Sequence, residues 1–185
     1  MSRMMRRGGA LLAAAGAAAA IRAARRGPAM QMRGRVALVT GGSRGLGLLV
    51  AAELVAAGCR VAICARDERE LQAALPLLHR PGALVAAFRC DVADRDEVDR
   101  MVADVERELG PVELLVNNAG VIQVGPLESL SIDDFREAME INYWGTVHTS
   151  LAVLPSMRRH RSGRIANVTS IGGKVAIPHL LPYSG

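Results

Sequence analysis

Thr40-Gly41-Gly42-Ser43-Arg44-Gly45-Leu46-Gly47 stands between a buried apolar run and a helical pattern, a setting in which a chain can grip phosphate. Glycines there let backbone N–H groups approach a pyrophosphate at the first turn of the helix, where unpaired N–H groups and the helix dipole favour an anion. A lone glycine triplet also serves ordinary tight turns. Gly41, Gly45 and Gly47 in a strand–turn–helix context are far more specific. Thr40, Gly41, Ser43, Arg44, Gly45, Leu46 and Gly47 are therefore the first candidate cofactor-binding residues. Charge argues which dinucleotide they hold. At the end of the second strand a carboxylate would bond the ribose 2′-OH of NAD. The sequence offers Ala65 and Arg66 there, and Asp67 comes too late along the turn. Arg44 projects from the glycine loop toward the same ribose. Two guanidinium groups give charge-assisted contacts to a 2′-phosphate, so NADP(H) is expected over NAD(H). The alternative is that Arg44 and Arg66 are solvated surface residues.

The elements that must position these residues alternate from residue 35 onward. Arg35 to Thr40 reads as a fully buried strand by its unbroken apolar run, and Leu46 to Ala57 as a helix closed by Gly58. Arg60 to Ala65 is the second strand, Glu68 to Leu78 a helix, and Leu84 to Arg89 the third strand. Asp94 caps a helix running to Leu109, with Glu97 as its capping-box partner, and Gly110-Pro111 stops it. Val112 to Val116 is the fourth strand. Ser131 caps one long helix from about Asp133 to His160, and Gly163 to Val168 is the fifth strand. Such alternation implies an α/β fold, a doubly wound parallel sheet of Rossmann type with strand order 3-2-1-4-5.

The pattern Thr40-Gly41-x-x-x-Gly45-x-Gly47 resembles the short-chain dehydrogenase/reductase family. Asn117-Asn118-Ala119-Gly120 after the fourth strand, Asn142 in the long helix, and Ser170 thirteen residues before Tyr183 match the same family's pattern. Each feature alone could be an ordinary turn, a helix misfit or a core aromatic, but the joint match over residues 34–185 is highly specific. The resemblance implies that Asp91 and Val92 line an adenine pocket. It also implies that Asn117, Asn118, Ala119 and Gly120 pack beside the adenosine ribose and shape the nicotinamide end. The implied activity is hydride transfer between a nicotinamide cofactor and a carbonyl or secondary alcohol, an oxidoreduction. Tyr183 would supply the proton and Ser170 would polarise the carbonyl. Free tyrosine has a pKa of about 10, so in related enzymes a lysine one helical turn later holds the phenolate. Asn142 would bind a water linking that lysine to solvent. The sequence stops at Gly185, two residues short of that lysine, and its only lysine, Lys174, lies nine residues before Tyr183. The expectation is therefore a fragment inactive on its own, with Lys174 solvated.

Val121, Ile122 and the apolar segment Ile171 to Pro182 (Val175, Ala176, Ile177, Pro178, Leu180, Leu181) suggest a wall for an apolar small-molecule substrate. The alternative is packing of an active-site loop against the core. The fifth strand is expected to leave a long apolar edge, an aggregation hazard, so the chain alone is expected to be unstable or to associate. A complete protein of this kind is expected to be a homo-oligomer.

The net charge of +5 misleads when read globally. Residues 1–34 hold seven arginines and no acid, leaving 16 basic against 18 acidic residues in the body. Nucleic-acid binding is not expected. The basic, Ala-rich leader 1–34 has an apolar run, Ala10 to Ile21, too short to cross a bilayer of ~30 Å. It reads as a mitochondrial presequence, an export signal, a membrane-surface helix, or an unstructured extension or early start codon. Cys59, Cys64 and Cys90 and the four histidines lack metal spacing, and no disulfide framework is implied. No metal is expected, and a reducing, cytoplasmic setting fits, with membrane surface or mitochondrion as the leader's contribution. Beside a dehydrogenase/reductase fragment, a non-catalytic NADP-binding module and a membrane-attached family member remain open.

Overall fold

Unbroken runs of Val, Leu, Ile and Ala can be buried on both faces only in a covered parallel sheet. In the computed structural model, which describes residues 31–175 and 177–184, these runs form five parallel strands. They are β1 (Val36–Thr40), β2 (Arg60–Ala65), β3 (Val85–Arg89), β4 (Val112–Asn117) and β5 (Arg164–Asn167), in the order β3-β2-β1-β4-β5. The expected order stands. β1 pairs with β2 from Val36–Arg60 to Thr40–Cys64, so the carboxyl ends of the central strands lie level. Residues Met32–Gly185 form one compact unit. The leader readings for residues 1–30, and Ala176, lie outside the described residues.

Strand alternation divides the core into two layers. Leu38, Ala62, Cys64 and Leu115 face one side and meet α3 (Arg95–Leu109) and α5 (Gly145–His160). Val39, Val61, Ile63 and Val116 face the other and meet α1 (Gly45–Ala56) and α2 (Glu68–Leu78). Gly58 follows α1 at φ +84 and Gly110 follows α3 at φ +101, conformations that suit glycine at helix ends. Asp67 caps α2 by accepting from the N–H groups of Arg69 and Glu70.

Three expectations are corrected. Asp94 caps α3, but Glu97 is not its box partner: the Glu97 carboxylate accepts from Asp91 N at 2.9 Å, reaching past the cap. The reciprocal box is instead Ser131 with Asp134, at the start of α4 (Ile132–Ala138). The long helix is not uniform either. α4 passes into a π-helical stretch, Met139–Trp144, before α5 resumes the α form. The wider turn keeps Ile141 buried while Asn142 meets the backbone of Val121. Finally, β5 is four residues long, begins with Arg164 and ends with Asn167, so the expected long apolar edge is a short, polar-ended one. It pairs with β4 only from Leu114–Arg164 to Asn117–Asn167. Among the described residues no helix is long and apolar enough to cross a membrane.

Candidate functional site

A cleft of about 450 Å³ opens at the carboxyl ends of the strands, where open α/β sheets bind ligands. Its walls come from four strand ends: Gly41, Ser43, Arg44 and Gly45 after β1; Ala65 at the end of β2 with Arg66 and Asp67 after it; Cys90, Asp91 and Val92 after β3; and Asn118 to Val121 after β4. Nine of the expected cofactor residues therefore share one surface: Gly41, Ser43, Arg44, Gly45, Arg66, Asp91, Val92, Ala119 and Gly120.

Thr40 and Gly47 stand behind that surface and hold it. Thr40 is buried, and its Oγ1 accepts from Asn118 N and Ala119 N, each at 3.0 Å. Asn118 Nδ2 in return donates to Thr40 O at 3.1 Å and Gly41 O at 3.2 Å. The turn after β1 and the turn after β4 are thus laced together. A Cβ at Gly47 would stand 2.1 Å from Gly41 O and 2.5 Å from Asn118 Nδ2, so only glycine fits between them. Gly45 differs, with φ +55 and open space where a Cβ would point, on the cleft wall. No side chain caps the first turn of α1, which leaves its N–H groups to an anion. These features fit a dinucleotide pyrophosphate. Leu46 is exposed and outside the lining.

Asn117 has a different place from Ala119 and Gly120. Its Nδ2 donates to Ser150 Oγ at 3.1 Å and Asn167 Oδ1 at 2.9 Å, and its Oδ1 accepts from Thr149 Oγ1 at 2.7 Å. It ties β4 to α5 and β5 and points away from the cleft wall. Asn118 is the wall residue of the pair, and Glu70, which did not stand among the expected site residues, also lines the cleft. The strand's alternation is the signal that could have separated the two asparagines.

Glu70 Oε2 accepts from Ser43 Oγ at 2.9 Å and lies 3.3 Å from Arg44 Nε. Arg66 Nη1 lies 3.8 Å from Glu137 Oε1, whose other oxygen accepts from Gln123 Nε2 at 3.1 Å. Cys64 and Cys90 form the buried floor. The hydrogen bond to Cys90, then burial, pushes the Cys64 thiol well above its ordinary range, so it stays an uncharged surface at this floor.

Asn142, Ser170 and Tyr183 lie outside the cleft lining. Asn142 adjoins it through Val121: Oδ1 accepts from Val121 N at 2.8 Å and Nδ2 donates to Val121 O at 3.0 Å. Its backbone carbonyl accepts from Thr146 Oγ1 at 3.2 Å. Ser170 precedes a 3-10 turn, Ile171–Gly173, and accepts from Gly172 N at 3.1 Å. Tyr183 sits half-buried on α6 (Leu181–Ser184). A Cβ at Gly172 would meet two Tyr183 ring carbons at 3.3 Å and Ser170 Oγ at 3.5 Å, so one glycine lies between the hydroxyl and the ring. The structure thus brings Ser170 and Tyr183 together. Lys174 is exposed. Ile122, Val175 and Leu181 present apolar surface to solvent, and Gly125 N donates to His179 O at 3.0 Å, joining the loops after β4 and β5.

The family model described as short chain dehydrogenase matches residues 35–185. The chain is 35% identical to a fatty acyl-CoA reductase from Acinetobacter baylyi, over 76% of this chain and 48% of that protein. Among solved structures, an actinorhodin polyketide ketoreductase with NADPH superposes with a TM-score of 0.78 at 38% identity, covering 85% of this chain and 60% of that one. An NAD+-bound xylitol dehydrogenase gives 0.79 at 30% identity, over 84% and 60%. The chain spans about half the length of the curated relatives it matches.

Proposed function

From a chain that belongs to the short chain dehydrogenase family, and whose cleft carries Arg44 after β1 and Arg66 after β2, we propose an NADP(H)-dependent oxidoreductase that interconverts a carbonyl and a secondary alcohol on an apolar small molecule. The carrying observation is the cleft itself, with a glycine wall, an uncapped helix and two arginines on one surface. The related reductases are named for fatty acyl-CoA and a polyketide, which agrees with the apolar residues Ile122, Val175 and Leu181 beside the site. Relatives holding NAD+ and NADPH both occur, so the cofactor assignment rests on this chain's arginines.

When bound, the nicotinamide supplies or accepts hydride at the substrate carbon. The first turn of α1 and the Gly41–Gly47 loop hold the pyrophosphate. Arg44 and Arg66 neutralise the 2′-phosphate. Asp91 and Val92 flank the adenine, and Ala119, Gly120 and Val121 form the wall leading to the reacting end. Ser170 accepts from Gly172 N and has its hydroxyl proton to give to the substrate oxygen, where negative charge develops during reduction. Tyr183 delivers the proton to that oxygen, and in the reverse direction takes it. Asn142 fixes Val121 by both its N–H and its C=O, which sets the wall against which the reacting ring would rest.

Titration of the 185-residue chain with NADPH and NADH, read by nucleotide fluorescence, tests the reading. Tighter binding of NADPH is expected. Equal or tighter binding of NADH, or none of either by a folded chain, would overturn it.

A further inference from the structure

The glycine-loop arginine is already engaged. One oxygen of Glu70 accepts from Ser43 Oγ at 2.9 Å and sits 3.3 Å from Arg44 Nε. Ser43, Arg44 and Glu70 all line the cleft. A single carboxylate oxygen thus collects a hydroxyl donor and a guanidinium donor from the loop, the pair of donors that a phosphate oxygen would seek there. Arg66 is held more loosely, 3.8 Å from Glu137.

We propose that Glu70 is a built-in competitor for the cofactor's 2′-phosphate, and so a specificity-determining residue of this site. The proposal rests on the NADP(H) reading above. A 2′-phosphate must take Arg44 from Glu70 or share it beside a like charge. A bare 2′-hydroxyl requires neither. Glu70 therefore weakens 2′-phosphorylated nucleotides selectively and narrows the gap between NADP(H) and NAD(H). The exchange is within reach of a mobile side chain, since the Arg44 side chain is 82% exposed and that of Glu70 38%. For the same reason the effect is moderate. A solvent-screened pair contributes only a small factor, and a dianion's repulsion adds to it, giving about three- to tenfold in affinity.

The test is calorimetric titration of the 185-residue chain with adenosine 2′,5′-bisphosphate and with adenosine 5′-monophosphate. Glu70→Gln keeps the shape and the acceptor for Ser43 while removing the charge. It is expected to tighten the bisphosphate by about three- to tenfold and to leave the monophosphate unchanged. In an Arg44→Gln background the same substitution should bring a smaller gain, because only the repulsion is relieved once the partner being released is gone. If the wild-type chain prefers the bisphosphate but Glu70→Gln does not tighten it, this proposal fails while the NADP(H) reading stands. If the gain is undiminished without Arg44, through-space repulsion alone and not occupancy of Arg44 is responsible, and the proposal is overturned. A chain that gains a bisphosphate preference only in Glu70→Gln supports the proposal and overturns the NADP(H) preference read for the wild-type chain. No preference in either chain overturns both.

Discussion

Gly47 is the position where the cofactor loop is least able to yield, and Gly47→Ala measures that. The added Cβ would stand 2.1 Å from Gly41 O, against an ordinary contact of about 3.4 Å, so the two must part by about 1.3 Å. Gly41 O is a backbone atom and cannot swing aside. It also accepts from Asn118 Nδ2, which itself would lie 2.5 Å from the new methyl. Separation therefore breaks the lacing between the β1 and β4 turns. Overpacking of this kind costs about 1–3 kcal/mol, and a lost buried hydrogen bond adds about 1 kcal/mol. Alanine's better helix propensity returns at most about 1 kcal/mol. A net loss of about 1–4 kcal/mol lowers Tm by roughly 2–16 °C in a domain of this size. Gly45→Ala is the control. It meets nothing within 4 Å, and its strain at φ +55 costs about 1–2 kcal/mol, but its methyl enters the cleft. The expected pattern is that Gly47→Ala loses stability and nucleotide binding together, whereas Gly45→Ala loses binding with a smaller fall in Tm. Thermal unfolding and NADPH titration on both variants read this directly. A Gly47→Ala chain melting within about 1 °C of wild type would refute the reasoning.

Asn117→Ala removes the partner of Ser150, Asn167 and Thr149 at a buried site. It should cost about 2–3 kcal/mol in urea unfolding, with the loss expressed as easier release of β5 in amide exchange. The box at the start of α4 carries a pH signature. The Ser131 backbone N–H, then its hydroxyl, holds the Asp134 carboxyl below its ordinary value. A group depressed in the folded state contributes stability that is present above its unfolded pKa and is lost as pH falls through its folded one. Ser131→Ala should therefore raise the Asp134 pKa toward the ordinary carboxylate range in an NMR titration. An unmoved titration would sink that assignment.

The sheet was legible because its signal is physical and redundant. Residues such as Val36 to Val39, Val61 to Cys64 and Leu114 to Val116 lie between two helical layers, so every position had to be apolar and the runs could not be read otherwise. The glycine loop was legible for a similar reason, since Gly47 has a steric cause within the loop itself. Asn118 and Glu70 were harder. Which of two adjacent asparagines faces the cleft depends on strand phase at its last residue. Glu70 lies on a helix whose acidic first turn looks like solvated surface, and its contact with Ser43, 27 residues earlier, exists only once α2 folds back over the loop. Glu97 misled by standing at the capping-box spacing, but Asp94 N donates to Asp91 O at 3.1 Å and Glu97 accepts from Asp91 N instead. The π-helical stretch left no mark, because one widened turn among Met139–Trp144 changes no periodicity that six residues can reveal.

That widened turn bears on how the two halves of the proposed site meet. The cofactor wall is built after β4 and the Ser170–Tyr183 pair after β5, so their relative position depends on what joins those connections. Two links do so. Asn142 holds Val121 from the helix side by both backbone groups, and Gly125 N holds His179 O from the loop side. Within the second half, Gly172 sets the spacing of hydroxyl and ring, since any Cβ there would press on Tyr183 at 3.3 Å. A regular α-helix through residues 139–144 would rotate Asn142 away from Val121 or Ile141 out of the core, and the π form lets both side chains keep their partners. The local cost of the wider turn is thus repaid at the cleft wall, where an error of 1 Å in placing the reacting ring would already be expensive.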